Sequence, residues 1–482
     1  MKIRISPRAA QQASILMVSL LVAAIIGATL ASYLVMTQNQ NVSIFRSQVW
    51  NSSMAVTEAG VEDAMQLINR FAGSVGDDLT TWTNYSSGDG WDTSAGSGIY
   101  HVKRHIGDAS YDVWVTNTYN TSLHLYTPDI SAIANLPWTF QYASASQPMF
   151  AQAGLPASAF PLARRVAVQT KKDPLFVVAM AATGTIDIKG NNLDTDSFDS
   201  GDPNYSNNGL YPVGQISKTK ANGDICTDST LTDTLNIGNA NIKGSVKTGP
   251  GINTIEIGAN GSVGDRAWVE GGNLGIQTGH SATDFNVLFP DVVLPDTTWL
   301  TPVSGNYNVD GTNYQYAFLQ PGNWDYNLPA NPPFKDNVYV GTNVNLRLKI
   351  NFDINTSKII FRLANSTNTF LQIFTDHNFS LSGQANIDNP SGHAQQFYLY
   401  GLPTCTSITL GGNGAFYGGI HAPEAAFNLS GDGSDALDFI GSSVTKTVVL
   451  NGHYNFHYDE NLRRIGPSRG FVPTSWQEVS AN

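Results

Sequence analysis

The amino-acid sequence predicts a mainly β protein with a long N-terminal α-helix, a small antiparallel β segment and a C-terminal right-handed β-helix, or solenoid. Three observations support this fold class. Residues 9–45 carry no charged side chain, a helical apolar spacing follows them, and short apolar units ending in Gly or Asn recur from residue 175 onwards. The predicted units are a basic leader (1–13), a transmembrane and then amphipathic helix (14–72), an antiparallel β segment (73–172), the solenoid (173–465) and a C-terminal tail (466–482).

The composition is that of an exported protein. The chain has 482 residues and a formal net charge of −12, yet only 13% of its residues are charged. Low charge together with many Asn, Thr, Ser and Gly residues suits exported β proteins better than cytosolic helical enzymes. An acidic body without a Lys/Arg-rich run lacks the basic footprint that nucleic-acid binding needs. We therefore expect no nucleic-acid partner.

The N-terminus predicts one membrane-spanning helix. Lys2, Arg4 and Arg8 form a basic leader, and the apolar run that follows, residues 14–36, is 23 residues long. A helix of this length crosses a hydrocarbon core of ~30 Å. The basic leader predicts a cytoplasmic N-terminus, so the remainder of the chain is expected on the outer side of the membrane.

The helical pattern continues beyond the apolar run and predicts one helix to about Ala72, closed by Gly73 and Gly76. A cleaved signal peptide, with Thr29 and Ala31 at its cleavage site, and an ordinary single-pass anchor are the alternatives. A continuous helix of this kind is a packing element. The predicted packing residues recur mostly at three- and four-residue steps: Val42, Phe45, Val49, Val56, Gly60, Leu67 and Phe71.

The basic leader, the run SILMVSLLVAAIIG and the segment AVTEAGVEDA at 55–64 resemble the N-termini of type IV pilus minor pilins and type II secretion pseudopilins. This resemblance implies cleavage by a prepilin peptidase between Ala13 and Ser14, although Ala13 replaces the usual Gly and Val18 stands where most major pilins have Glu. It also implies a bacterial inner-membrane location, a body in the periplasm or on the cell surface, and packing of the helix against other pilin-like subunits.

The middle segment predicts an antiparallel hairpin. Residues 99–106 and 110–116 alternate apolar and polar side chains on either side of Gly107-Asp108-Ala109, and residues 165–169 add a further strand. His101 and His105 lie four residues apart on one strand face. No Cys or carboxylate at ligand spacing accompanies them, so we expect exposed strand histidines, with a metal site as the alternative.

The β-rich remainder predicts a solenoid because its apolar units recur about every 20 residues. Ile237 and Ile257 are 20 residues apart, Leu410 and Leu429 are 19 apart, and Leu429 and Leu450 are 21 apart. Such a rung cannot bury its own apolar residues, whereas stacked rungs form a continuous core. A β-sandwich remains the alternative, since some gaps are irregular.

Residues 400–464 carry a second resemblance. The segments GLPT (401–404), AFYGGIHAP (415–423) and FHYDEN (456–461) are similar to a C-terminal domain of large bacterial envelope proteins, which is expected to be β-helical and has no assigned activity. Together the two resemblances imply a structural envelope protein that presents a β-helical head for assembly, surface contact or adhesion, with a polysaccharide as one contact. An exported β-helix enzyme acting on carbohydrate and a single-pass scaffold without a filament partner are the alternatives.

We predict no catalytic residues, because nucleophile-elbow, zinc-protease and phosphate-loop motifs are absent from the sequence. Oxygen ligands of the kind that Ca²⁺ prefers cluster in one stretch, but the fifth position of a standard Ca²⁺ loop falls on Phe198. A loop closed by Asx turns is therefore the alternative to a Ca²⁺ site, and no other cofactor is expected. The candidate Ca²⁺ ligands are Asp194, Asp196, Asp199 and Asp202.

Two further groups of residues are candidate sites. Cys226 and Cys405 are the two cysteines, and a single disulfide between them would be compatible with an oxidising compartment. Residues 453–459 read as a terminal strand whose aromatic side chains cap the core and whose polar side chains, including His457 and Asp459, meet solvent. A metal site formed by these polar residues is the alternative.

Overall fold

A computed structural model describes most of the chain, and it is mainly β with an apolar N-terminal helix, as predicted. The described residues are 7–70, 90–92, 94, 96, 98–120, 125–136, 162–188, 191–231, 235–251, 255–329, 337–411, 414–430, 437–451 and 454–480.

The helices are α1 (Pro7–Arg70), α2 (Arg266–Glu270) and α3 (Leu462–Ile465), with short 3₁₀ turns at Ile216–Lys218 and Ala394–Gln396. The strands are β1 (Ile99–Ile106), β2 (Ala109–Asn120), β3 (Leu125–Leu136), β4 (Leu162–Pro174), β5 (Met180–Ala182), β6 (Ile186–Ile188), β7 (Asn191–Phe198), β8 (Ile225–Thr227), β9 (Leu235–Asn236), β10 (Asn239–Lys243), β11 (Val246–Lys247), β12 (Ile255–Glu256), β13 (Ser262–Gly264), β14 (Gly275–Ile276), β15 (Ser281–Ala282), β16 (Tyr307–Val309), β17 (Thr312–Tyr314), β18 (Tyr316–Phe318), β19 (Gly322–Leu328), β20 (Val338–Val340), β21 (Val344–Ile350), β22 (Ile354–Thr356), β23 (Ile360–Leu363), β24 (Phe370–Thr375), β25 (Phe379–Leu381), β26 (Asn386–Asp388), β27 (Phe397–Gly401), β28 (Ser407–Leu410), β29 (Phe416–Ser430), β30 (Leu437–Asn451), β31 (Tyr454–Asp459) and β32 (Ser468–Val479).

Helix α1 runs unbroken through both the apolar and the amphipathic part of the sequence, which confirms the predicted single helix. Its 64 residues correspond to a length of about 96 Å. No proline interrupts it after the first residue, and Gly27 has open space around it, so nothing in the sequence forces a break. The predicted end at Ala72 and the packing residue Phe71 lie outside the described residues.

The predicted hairpin is confirmed. Strands β1 and β2 pair antiparallel from Ile99 opposite Thr116 to Ile106 opposite Ala109. Gly107 turns the chain at a φ of +59°, which a residue without Cβ adopts at little cost. Strand β4 contains the further predicted strand, and the five-stranded antiparallel sheet has the order β1-β2-β3-β4-β32.

The second half of α1 covers one face of this sheet. Apolar residues of the sheet alternate along each strand, so that Val113, Val115, Val166 and Val168 all point to the helix side and are at most 1% exposed. The helix and the antiparallel sheet therefore share one core.

The segment between β4 and β32, residues 175–467, is called the β-body below. Its strands pair parallel in a 21-stranded sheet and in a four-stranded sheet of order β18-β20-β23-β26, while β16 and β17 form a separate antiparallel pair. Inward-facing residues stack in columns, because inward positions of one strand lie opposite inward positions of its parallel partner. One such column is Leu348, Ile373, Leu399 and Ile420. In another, the rings of Phe416, Phe439 and Phe456 stack with centroids 4.5 and 4.2 Å apart.

The first strands of the β-body lie against its last ones. Strand β5 has β8 on one side and β30 on the other, and β7 lies between β31 and β10. The chain thus enters the stack in its interior and runs outward through β8 and β11 to β15. It then returns from β19 through β21, β24, β27 and β29 to β30.

Residues 283–303, called the strap below, connect the two ends of the stack. Phe285 N donates to Thr248 O (3.0 Å) beside β11, and Leu300 N donates to Asp325 O (2.8 Å) in β19. Between these points Phe285, Phe289 and Trp299 pack onto the outer face of the stack. The strap therefore closes a second apolar layer outside the parallel strands.

The chain leaves and rejoins the antiparallel sheet at one point. Pro174 at the end of β4 lies opposite Ser468 at the start of β32, and Leu175 N donates to Pro467 O at 3.0 Å. The expectation of a C-terminal tail at 466–482 is corrected here, since β32 is the fifth strand of the sheet. Its exposed second half and its residues Gly470 and Pro473 hide the strand pattern in the sequence.

Candidate functional site

The first candidate site is the exposed apolar part of α1. Ile15–Asn41 is the one described helix segment that is long and apolar enough to cross a membrane, with a mean hydropathy of 2.4 and no buried residue. Its Ser and Thr hydroxyl groups do not oppose this, because each donates to a carbonyl of the preceding turn at 2.8 to 3.0 Å. A hydroxyl satisfied in this way exposes no unpaired donor to lipid. These residues are Ser19, Thr29, Ser32 and Thr37.

Ala13 and Ser14, the predicted processing position, lie within α1. They belong to the same uninterrupted helix as the apolar segment, and their side chains lie outside the described residues. Cleavage there stays a prediction.

Part of the predicted packing stripe is buried against the protein's own sheet. Gly60 and Leu67 are buried, while Val49 and Val56 are half-buried. The side chains of Val42 and Phe45, like Phe71, lie outside the described residues. At Gly60 a Cβ would stand 2.8 Å from Val113 Cγ2, so the absence of a side chain lets α1 approach β2 closely.

The predicted packing residues do not include two polar residues of α1 that are fully buried. Ser53 and Thr57 are 0% exposed, and Thr57 Oγ1 donates to Ser53 O at 2.8 Å. The sequence signal for their burial is that these small residues lie one helical turn apart and on the same helix face as Gly60. Farther along, the Asp63 carboxylate accepts from Arg104 Nε at 2.6 Å and from the Tyr111 hydroxyl at 3.1 Å, which ties α1 to β1 and β2. Burial, with the adjacent Asp63 charge, raises the pKa of Tyr111 to about 12.

The second candidate site is a polar group called the His457 cluster below, with buried Asp196 and His457 and half-buried Tyr211 and Asp438. His457 Nδ1 lies 2.6 Å from Asp196 Oδ1, and its Nε2 lies 3.5 Å from Asp438 Oδ1. The Tyr211 ring stacks on the imidazole at 3.7 Å between centroids and donates its hydroxyl to Asp196 Oδ2 at 2.9 Å. Strands β7, β30 and β31 thus supply the charges, and a loop after β7 supplies the covering ring.

The electrostatics of the cluster favour a charged imidazole. Burial opposes the positive charge, but the hydrogen bonds and charges of Asp196 and Asp438 outweigh it and raise the pKa of His457 above its usual value. Burial would raise the pKa of Asp438, but its hydrogen bond to His457 and the charge of His457 lower it. Burial and the charge of Asp196 raise the pKa of Tyr211, which keeps its hydroxyl protonated as a donor.

A second set of polar contacts lies beside the cluster. Glu460 accepts from Ser197 Oγ at 2.8 Å and Asn222 Nδ2 at 2.6 Å, and it pairs with Lys220. Asp459 is 1% exposed and accepts from Ser200 N at 3.0 Å. Burial raises the pKa of Asp459 to about 6. These contacts fasten residues 197–222 over β31.

The expectation for residues 453–459 is therefore half right. Tyr454, Phe456 and Tyr458 are at most 3% exposed and belong to the core, but β31 lies between β30 and β7, so these rings do not cap the core as predicted. The polar side of the strand was expected in solvent, but His457 is 5% exposed and Asp459 is 1% exposed. The loop that covers them comes from more than 230 residues earlier in the chain, a distance at which a strand pattern carries no information.

The four candidate Ca²⁺ ligands are not brought together. Asp194 lies 3.5 Å from Lys243 Nζ, and Asp196 belongs to the His457 cluster. Asp199 pairs with Arg464, while Asp202 accepts from Asn204 N at 2.9 Å in an Asx turn. Among the residues that the structure describes, no group of three His, Cys, Asp or Glu side chains could hold a metal ion.

The residues of the other predicted sites do not form a joint site either. Cys226 and Cys405 are buried free thiols, so the predicted disulfide is wrong. They lie in different apolar clusters, Cys226 under the strap and Cys405 in the core of the stack. His105 is exposed, as expected, whereas His101 stacks on Trp114 with centroids 4.7 Å apart.

A further buried histidine escaped the sequence analysis. His421 in β29 is 5% exposed and lies close to the backbone carbonyl of Pro290 in the strap. Burial lowers its pKa to about 3, so the imidazole is neutral at ordinary pH. Arg469 joins the strap to β4, donating to Leu288 O at 2.8 Å and to Asp173 Oδ1 at 2.8 Å.

Comparison with known proteins finds a match for part of the chain. Residues 336–465 match a family described as a domain of unknown function (DUF7305). The matched segment covers less than a third of the chain; it runs from β20 to α3 and carries Asp438 and His457 but not Asp196 or Tyr211. Neither the curated proteins nor the solved structures contain a match.

Proposed function

We propose that the protein is a structural, non-enzymatic component of the bacterial cell envelope, similar to a minor pilin of a type IV pilus or a type II secretion-like system. Its role is to present the β-body outside the cytoplasm for assembly or surface contact. The observation that carries this proposal is the continuity of α1, whose first half is exposed and apolar and whose second half belongs to the core of a folded sheet.

A continuous helix makes a rigid support. Strand β32 runs antiparallel to the helix beside it. At one end Phe471 and Asn69 exchange hydrogen bonds. At the other end Arg164 donates to Glu478 and lies over the Trp50 ring. The β-body is therefore attached at the end of the sheet that is farther from the apolar segment. Asn69 lies about 42 Å beyond Asn41 along the helix axis, and this spacing supports a presenting role.

The β-body is proposed to be a right-handed β-solenoid. All its strands except the β16–β17 pair are paired parallel, and its inward side chains form the columns that stacked rungs require. A β-sandwich, by contrast, is built from antiparallel sheets.

The expected partners follow from this arrangement. The apolar residues of α1 face the inner membrane, or other pilin-like subunits after extraction into a filament. The basic leader favours a cytoplasmic N-terminus, which directs the β-body to the periplasm or the cell surface. There it contacts a surface or a polysaccharide.

The mature N-terminus tests the proposal. Mass spectrometry of protein purified from its natural membrane is expected to find Ser14 as the first residue. An N-terminus at Ser32 would contradict the proposal, since a signal peptidase would then have removed the apolar helix. An intact Met1 would argue for a simple anchor and against a filament role.

A further inference from the structure

The two ends of the stack in the β-body differ in the length of their outermost strands. At one end lie β12, β14 and β15, each of two residues. At the other end, called the β19 end below, lies β19 with seven residues, and β21 is its one strand partner among the described residues. An unpaired edge strand can pair with another chain, and proteins commonly protect such edges by keeping them short. The β19 end lacks this protection.

The backbone of β19 leaves hydrogen-bonding groups on its outer side. Gly322 N donates to the turn before β21 at 3.0 Å, so the backbone groups of Gly322 and of alternate residues after it face β21. Those of Asn323 and Asp325 face away from the stack. Leu300 of the strap covers the second half of this edge, since it donates to Asp325 O and accepts from Asn327 N. The groups of Asn323 and the N–H of Asp325 have no backbone partner in the part of the chain that the structure describes.

The core of the stack is also incompletely covered at the β19 end. Trp324 and Tyr326 lie opposite Leu346 and Leu348 of β21 and face the core with them. The two leucines are 0% exposed, because β24 follows on their far side, whereas Trp324 and Tyr326 are only half-buried. Their ring centroids are 6.3 Å apart. The column of inward side chains therefore ends in two aromatic rings that are partly open to solvent.

Large exposed aliphatic side chains surround these rings. They are Leu300 (43% exposed), Val303 (77%) and Leu319 (50%). Leu300 forms a bridge with Tyr326, and Leu319 directly follows β18, whose Phe318 ring lies 4.8 Å from that of Tyr326. Val303 belongs to a segment that passes from β19 to the start of β18, where a backbone hydrogen bond of 2.9 Å holds it. An exposed apolar patch of this kind marks an interaction site.

The charges of the β19 end indicate what covers it. Residues 300–309 and 314–328 carry one charged side chain, Asp325, and the Arg347 guanidinium neutralises it at 2.7 Å. The whole chain has a net charge of −12, so two copies repel each other on average. An uncharged apolar end is where two copies approach without this cost. The opposite end exposes Glu256 and Glu270 and is unsuited to such a contact.

We propose that the β19 ends of two copies of this chain form an interface around a two-fold axis. A two-fold axis beside β19 sets the strand antiparallel to β19 of the second copy, and the outward backbone groups of Asn323 then find partners there. The half-buried rings and the three aliphatic side chains meet their counterparts and lose their contact with water. Because the same patch serves both copies, the assembly closes at two chains. This inference goes beyond the envelope role proposed above and holds with or without insertion of α1.

The oligomeric state of the full chain in detergent tests the interface. Light scattering, corrected for bound detergent, is expected to give the mass of two chains. Leu319→Glu and Val303→Glu should each halve this mass, because every dimer would bury two added carboxylates close together. Val303 is so exposed that its replacement leaves the fold intact.

Leu288→Glu is the matched control. Leu288 is 81% exposed, but Pro290, two residues later, lies close to His421 of β29, which is four strands away from β19. This variant should keep the mass of two chains.

A cysteine beside the axis gives an independent readout. A short bismaleimide should join Asn323→Cys to the same residue of the second copy, whereas Leu288→Cys should not be joined. Cys226 and Cys405 are buried and do not react in the folded chain.

Three results would overturn the inference. A monomeric unmodified chain shows that no second copy covers the β19 end. A dimer that persists in both glutamate variants places the contact elsewhere, for example along α1. A monomer that migrates more slowly in a gel containing dextran, but not as Val303→Glu, shows that a neutral polysaccharide covers this end. None of these results bears on the mature N-terminus, which tests the proposed function separately.

Discussion

The carboxylate of Asp196 and the imidazole of His457 form a buried ion pair, 2.6 Å apart, between residues separated by 261 positions in the sequence. Both side chains are 7% exposed. The pair joins the first part of the β-body to its last strand, β31, and the Tyr211 ring closes over it. The His457 cluster is therefore the fastening between two segments that the chain makes at very different times.

Removal of one partner of this pair is expected to destabilise the β-body strongly. In Asp196→Asn the imidazolium loses its main acceptor, and breaking a buried pair from one side costs about 3–5 kcal/mol. Denaturant unfolding of the purified chain in detergent would measure the change. His105→Ala is the matched control, because His105 is exposed and its loss should leave the unfolding free energy unchanged.

The same pair makes stability depend on pH. Because the pKa of His457 is raised in the folded protein, its contribution is full below the unfolded value of about 6.5 and is lost as the pH rises through the folded value. The melting temperature should therefore fall on this alkaline side, and His457→Gln should flatten that part of the profile. An equally steep profile in His457→Gln would assign the effect to other groups.

For His421 we expect the opposite dependence of folding stability on pH, in the acid range. Its folded pKa is about 3 against an ordinary 6.5, so the unfolded chain binds the additional proton first and stability declines as the pH falls through this window. Replacement by Gln, which cannot be protonated, should reduce the slope between these two values. Thermal unfolding of both proteins across the acid range measures it; parallel curves would contradict the prediction.

Gly441 is expected to be among the least replaceable residues of the β-body. Its φ is +146°, and a Cβ there would stand 1.8 Å from Gly418 O in the paired strand. Gly441→Ala should cost upwards of ~4 kcal/mol, since the backbone of β29 cannot move aside. Gly107→Ala is the control: its φ is also positive, but the added methyl meets open space, so the cost should be about 1 kcal/mol. Similar losses of stability in the two variants would show that backbone strain, and not the contact with Gly418 O, determines the cost of the substitution.

The thiols of Cys226 and Cys405 are expected to be unreactive in the folded protein. Both are buried, and burial raises the pKa of Cys405 to about 11, so the reactive thiolate is scarce. Alkylation with iodoacetamide should modify neither residue until denaturant is added, and reduction should leave the intact mass unchanged. Recovery of a peptide pair linked through Cys226 and Cys405 would refute this.

The local part of the fold was predictable from the sequence. The continuous helix, the β1–β2 hairpin and the buried aromatic face of β31 all follow from patterns within about 10 to 60 neighbouring residues. Ser53 and Thr57 were missed because their burial depends on how closely Gly60 lets the helix approach β2.

The long-range part was not predictable in the same way. A repeat near 20 residues indicates stacking, but it does not say that the stack begins in its own interior, with β5 against β30. The burial of His457 depends on Tyr211, and that of His421 on the strap near Pro290. Such contacts are set by topology, which a periodic pattern does not encode.

The attachment of the β-body through Pro174 and Ser468 has a consequence for synthesis. Strand β4 emerges from the ribosome almost 300 residues before β32, its partner in the sheet, so the antiparallel sheet stays one strand short while the β-body is synthesised. An edge strand left open in this way invites pairing with other chains. Completion of the β-body brings the ends of β4 and β32 together and replaces a slow search over a long chain by a local pairing. By pairing with β4, strand β32 thus removes an aggregation hazard that persists throughout synthesis of the β-body.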